Sequence, residues 1–180
     1  MTEPELSERD LPSAEDMENE LGGRIERDII QLHPIPDAEW RTREKLFLVD
    51  SPLRQEIAES IGRYFKRETP YDFPPYSAGD ESSETPVYLI RTTRVGAVVA
   101  IAAGALGMRR VQGEWILKWI WIHPWERGQL GDGPEQTANL VFRTLDELYG
   151  DFLIEGPISP AMRRLMEKRG YDSDRVVHVG

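Results

Sequence analysis

WILKWIWIHPWERGQLGDGPEQTANLVFRTLDELYG, Trp115 to Gly150, is the stretch that decides the fold. Its opening predicts a strand over Glu114–His123. Trp115, Leu117, Trp119 and Trp121 would share one face; Ile116, Ile120 and Ile122 would share the other, with Lys118 interrupting. Two apolar faces imply a strand covered by helices on both sides. Pro124 stops it. A polar, Gly-rich loop follows, then a helix expected from Pro134 with Asp132 or Gly133 at its cap. Ala138, Val141, Phe142, Leu145, Leu148 and Tyr149 fall on one face of that helix, and Gly150 ends it. A strand that feeds a Gly-rich loop into a helix start is a device for holding phosphates. Unpaired N–H groups at the helix N-terminus attract an anion, and glycines let the backbone approach it.

Asp151–Glu155 reads as a short buried strand. A strand, helix and strand in succession form a crossover, hence parallel pairing. Ser159-Pro160 starts a helix over Pro160–Arg169, Gly170 ends it, and Arg175–Val179 is a last strand. Upstream, Ser51-Pro52 starts a helix to about Arg67, whose Leu53, Ile57, Ile61 and Phe65 recur every fourth residue. Val87–Arg91 is a strand and Thr92–Arg94 a turn. The apolar run Val95–Met108, closed by a turn at Arg109–Gly113, predicts two or three antiparallel strands. Gly96, Gly104 and Gly107 permit bulges or a close backbone approach there. Thr69–Pro86 is loop chemistry throughout, either a lid or a plain surface connection. Nearer the N-terminus, Ala14–Leu21 reads as a short helix and Arg24–Leu32 as helix or strand. His33-Pro34-Ile35-Pro36 should break either one, and Pro36–Trp40 could open a helix. The expected class is α/β (α+β). It has a mixed, mostly antiparallel sheet with a central parallel strand pair, and helices on both faces.

The chain has 180 residues and a net charge of −10. Residues 1–20 hold eight acids against Arg9, which accounts for most of that charge. They are expected to form a disordered acidic arm, with 21–180 as a single domain. The remainder is mildly acidic and lacks a basic stripe with interleaved aromatics, so nucleic-acid binding is disfavoured. No apolar run can span a bilayer and no signal-peptide pattern opens the chain, so no membrane association and a cytoplasmic location are expected. With no cysteine and three scattered histidines (His33, His123, His178), no metal site is expected.

The order of helix, antiparallel strands, central strand, Gly loop, helix, strand and helix resembles the GNAT superfamily of acyl-CoA-dependent N-acyltransferases. Three stretches carry the resemblance, which covers about Val87 to Val179. Trp121-Ile122-His123-Pro124 followed by Arg127-Gly128 is similar to the family's strand end and basic loop. Arg127-Gly128-Gln129-Leu130-Gly131-Asp132-Gly133 is similar to its pyrophosphate loop, Q/R-x-x-G-x-G/A. Ser159 to Tyr171 is similar to its Asn-containing helix, which leads through a Tyr to a Gly-aromatic pair. The departures are specific. Counted from Arg127, the family's glycines fall on Leu130 and Asp132; one inserted residue restores the register to Gly131 and Gly133. Met166 stands where the family has its acid Tyr, and Ser159 where it often has Asn.

The resemblance implies transfer of an acetyl or other acyl group from acetyl-CoA to a primary amine of a small molecule, peptide or protein. It places Arg127, Gly128, Gln129, Gly131, Gly133 and Ser159 against the cofactor. The backbone N–H groups near Ile120 and Ile122 would hold the pantetheine arm and polarise the thioester. The amine must be neutral to attack, which for a lysine-like amine costs about 4–5 kcal/mol at neutral pH. Glu114 and Glu155 are the candidate bases; each is otherwise an exposed acid at a strand end. The five tryptophans read first as core or packing residues; Trp125, beside the loop, is alternatively a cover for the cofactor or part of an interface. The alternative is a catalytically inactive GNAT-like protein that binds a partner. A homodimer is left open.

Overall fold

The computed structural model describes residues 33–35, 44–69, 72–91, 100–127 and 137–178. In chain order the strands are β1 (His33–Ile35), β2 (Leu46–Leu48), β3 (Val87–Arg91), β4 (Ala100–Val111), β5 (Glu114–Ile122), β6 (Leu153–Glu155) and β7 (Val176–Val177). The helices are α1 (Pro52–Glu68), α2 (Thr137–Tyr149) and α3 (Pro160–Arg169). The described strands form one mixed sheet in the order β2-β3-β4-β5-β6-β7, with β1 beside β4. Pairing is antiparallel from β2 to β5 and parallel for β5–β6 and β6–β7. The parallel part therefore runs on to one edge of the sheet.

The helix ends follow from local chemistry. Ser51 Oγ accepts from Arg54 N–H (3.4 Å) with Pro52 in the first turn of α1. Ser159 Oγ does the same for Met162 N–H (3.1 Å) in α3, and Gly170 closes that helix at φ 68°. Ile57, Ala58, Ile61 and Phe65 of α1 pack with Leu89, Ala105, Trp119 and Trp121 on one face of the sheet. Val141, Phe142 and Leu145 of α2 and Met166 of α3 pack with Ile90, Leu106, Met108 and Leu117 on the other. Tyr76, 2% exposed, drives residues 72–86 into the α1 face and donates its hydroxyl to Glu81 (2.7 Å). This pins the connection expected as either a lid or a surface loop.

Three expectations are corrected. First, β4 is one strand to Val111, so Arg109–Val111 is not a turn. Arg110 N–H bonds Glu84 O (2.8 Å), and the reversal shrinks to Gln112-Gly113 at φ 52° and 84°. Second, His33-Pro34-Ile35 is a strand, with Pro34 opposite Ile101. Third, Trp119 and Trp121 of β5 do not share a face with Trp115 and Leu117. Gly107 pairs with Trp119 but Met108 pairs with Leu117, so Lys118 has no partner across the ladder. This bulge reverses the alternation: Trp115 and Leu117 join the α2/α3 face, while Trp119 and Trp121 join the α1 face. The elements expected before His33, at Pro36–Trp40 and at Thr92–Arg94 lie outside the described residues. So does the start of the second helix before Thr137.

Candidate functional site

β5 and β6 pair at only two positions, Ile116 with Leu153 and Leu117 with Ile154. Beyond Leu117 the bulge turns β5 aside, and it continues to Ile122. β6 instead ends at Glu155, after which Gly156 N–H bonds Val177 O (2.8 Å), so the chain follows β7. The two parallel strands diverge, and a cavity of about 470 Å³ opens between them. Its walls come from both faces of the sheet: Phe65, Trp119 and Trp121 from the α1 side, and Phe142, Ile154 and Met162 from the α2/α3 side. It is a slot through the sheet.

The backbone of β5 is aimed into this slot. His123 N–H donates to Ala103 O of the β4 segment (2.7 Å). Residues on an antiparallel strand alternate in which neighbour they bond. With Trp119, Trp121 and His123 bonded toward β4, the peptide groups of Ile120 and Ile122 face away from it, toward β6. Arg127 Nε donates to Ile122 O, as this orientation requires. No described strand pairs with that side of Ile120 and Ile122.

Ile120, Ile122, Arg127, Glu155 and Ser159 all line the slot. Glu155 is held there by Arg109 (3.0 Å). Ser159 spends one lone pair on its own helix. Glu114 is exposed at the far end of β5, opposite Val111, and does not line the slot. Gly128, Gln129, Gly131 and Gly133 fall outside the described residues. Met166 is buried in the core at 4% exposure and is not part of the slot wall.

The site residue that sequence reasoning missed is Glu68, the last residue of α1. Arg127 grips it through both terminal nitrogens, Nη1 to Oε1 and Nη2 to Oε2 (2.7 Å). Trp121 Nε1 donates to the same carboxylate (2.6 Å), and the guanidinium lies 5.3 Å from the centre of the Trp121 ring. The bend after β5 is thus fastened to the end of α1. No local signal could reveal the pair, because its members lie 59 residues apart. Glu68→Ala strips Arg127 and the Trp121 indole of their carboxylate. Because the pair is partly solvated, the expected loss is about 2 kcal/mol, less than for a fully buried pair. Denaturant unfolding of the variant beside the parent chain measures it; an unchanged midpoint would show that the clamp contributes nothing.

A second polar cluster lies at the start of α2. His123, Glu126 and Thr137 are buried, and Thr137 Oγ1 donates to Glu126 Oε2 (2.6 Å). Lys45 feels this carboxylate. Desolvation lowers its pKa from 10.5 to about 8, Glu126 opposes the shift and Arg91 adds to it. The unfolded chain keeps the proton up to a higher pH than the folded one, so stability rises with pH above about 8. Above pH 10 the phenols of Tyr76 and Tyr149 act in the opposite sense. Burial and hydrogen bonds hold both above the ordinary value of 10.0. The clean window is therefore about pH 8–10. Lys45→Met is expected to stabilise the fold at pH 7 by on the order of 1–3 kcal/mol, with the gain shrinking across that window. Unfolding titrations at both ends of the window decide it; a gain independent of pH contradicts the assignment.

Among the described residues, no group of three or more His, Cys, Asp or Glu is gathered to hold a metal ion, and no helix is long and apolar enough to cross a membrane. No family model matches the chain, and no curated protein or solved structure matches it either.

Proposed function

We propose that the chain is an N-acyltransferase of the GNAT type. It moves an acetyl or other acyl group from acetyl-CoA to a primary amine of a small molecule, peptide or protein. One observation carries this reading: two parallel strands diverge beside a bulge, and the peptide groups of Ile120 and Ile122 face the opening. A pantetheine arm is itself a chain of amides. Laid in the slot, it can bond that strand edge as a short extra strand would, and its thioester carbonyl can accept an N–H. The amine nitrogen attacks the thioester carbon, the C–S bond breaks and the thiol leaves. The proton lost by the amine passes by way of Glu155 or water to the departing thiolate, which leaves as the thiol. Holding both reactants in the slot in reactive geometry supplies about 7–11 kcal/mol without any protein acid. This accommodates Met166 at the position of the family's Tyr.

A second reading rests on the Glu68–Arg127 clamp. If Arg127 stays on Glu68, its charge is not available to a diphosphate, and the fold would serve binding without transfer. Calorimetric titration with acetyl-CoA and CoA separates the two. The transferase reading expects saturable binding in the micromolar range, weakened by Arg127→Ala and Ser159→Ala. No heat up to millimolar ligand would leave the non-catalytic reading in place.

A further inference from the structure

Lys118 stands where the two parallel strands part. Leu117 and Ile154 form the last pair between β5 and β6, so Lys118 is the first β5 residue beyond it. Toward β4, Leu117 pairs with Met108 and Trp119 with Gly107, which makes Lys118 the extra residue of the bulge. It therefore belongs to neither ladder, and a bulge is a place where a strand re-aims a side chain. Lys118 is exposed and lines the slot. Among the described residues no carboxylate is paired with it: Glu155, the next residue on β6, is bound to Arg109 (3.0 Å).

The chain has four lysines, Lys45, Lys66, Lys118 and Lys168. Lys118 and Lys168 line the slot; Lys45 and Lys66 do not. Lys168 is already engaged by another group of the protein. The position of Lys118 also suits bond making. A thioester carbonyl held at Ile120 would lie two residues along the same strand. Two residues of strand cover about 6.6 Å, which a flexible four-carbon stem can reach. An amine tethered there needs no second molecule to be captured and oriented.

We propose that the chain acetylates itself, with the Lys118 side chain as an acceptor for the acetyl group of a donor seated in the slot. The proposal rests on the transferase reading above and names an acceptor for it on this same chain. The Lys118 ammonium first gives one proton to solvent. Its nitrogen then attacks the acetyl carbon of acetyl-CoA, the C–S bond breaks and an amide forms. The second proton passes to the departing thiolate, which leaves as the thiol. The amide is not transferred onward, so each chain reacts once at this position.

The test incubates the full chain with acetyl-CoA and follows acetylation at each lysine by peptide mass spectrometry. Lys118 is expected to react at least about tenfold faster than Lys45 and Lys66, and to lose that lead in urea. Its rate per chain should not change on dilution, because acceptor and slot belong to one molecule. Lys45 is the internal control. Burial lowers its pKa to about 8, so a reaction governed only by the share of neutral amine would favour it. Lys118→Arg is expected to abolish the fast acetylation, and its thermal melt reports whether it folds. The site map on the parent chain decides the question even if the variant does not fold. Acetyl-CoA that binds in calorimetry yet leaves Lys118 unmodified, or modifies Lys45 first, overturns self-acetylation and leaves the transferase reading intact. Equal reaction of Lys118 in the folded and the urea-unfolded chain overturns it too. Absence of any acetyl-CoA binding sinks both.

Discussion

Replacing Phe142 by alanine is expected to cost about 4 kcal/mol of folding stability, the largest single-residue effect among the α2 contacts. The ring is fully buried, with centroids 6.0 Å from Phe152 and 6.2 Å from Tyr171, so α2 and the segments before β6 and after α3 meet on it. It also forms part of the slot wall beside Ile154. Truncation joins the new void to the slot and wets Leu117 and Ile154, while the aromatic contacts are lost outright. Urea unfolding with a linear extrapolation measures the loss. A value under about 1 kcal/mol would mean that α2 is not seated on the sheet through this ring. The same variant should bind acetyl-pantetheine more weakly, because one wall of the slot has receded.

Gly104→Ala is expected to cost about 3 kcal/mol, and to disturb the site as well. Gly104 sits in β4 opposite Ile122, where the end of β5 crosses closest. A methyl there would collide with the Trp121 carbonyl oxygen and lie 3.1 Å from Ile122 Cα. Both neighbours are backbone, so no side chain can swing away. The end of β5 must shift instead, and with it the peptide groups of Ile120 and Ile122. Lower thermal stability together with weaker pantetheine binding is the expected pair of results. A variant that melts and binds like the parent would show that β5 yields at this point without cost.

Much of the frame was legible because its causes are local. Ser51-Pro52 and Ser159-Pro160 start helices by satisfying their first N–H groups, and Gly170 ends one by adopting a left-handed conformation. The expectation that Gly104 and Gly107 mark a bulge or a close approach follows from the missing Cβ, and both occur. The ladder shifts between Gly107 and Met108, and Gly104 lies against Trp121. Arg109 and Arg110 misled in the opposite direction. Two adjacent arginines resemble a turn, yet Glu155 and the Trp115 ring hold them as strand residues.

Of the candidate site, Ile120, Ile122, Arg127, Glu155 and Ser159 are gathered by the fold, and Glu114 is not. The alternating residues around Lys118 show that a strand exists but not where its ladder slips. One unmatched residue moves every later side chain to the opposite face, and cross-strand packing alone selects it. Sequence by itself determined the N-caps of α1 and α3, the apolar central strand and the parallel crossover, because backbone preference and hydrophobic period act within a few residues. Only the tertiary structure decided the bulge at Lys118, the slot it opens against β6 and the fastening of Arg127 to Glu68. Each of these is a meeting of groups far apart along the chain, and its energy exists only once the sheet has brought them together.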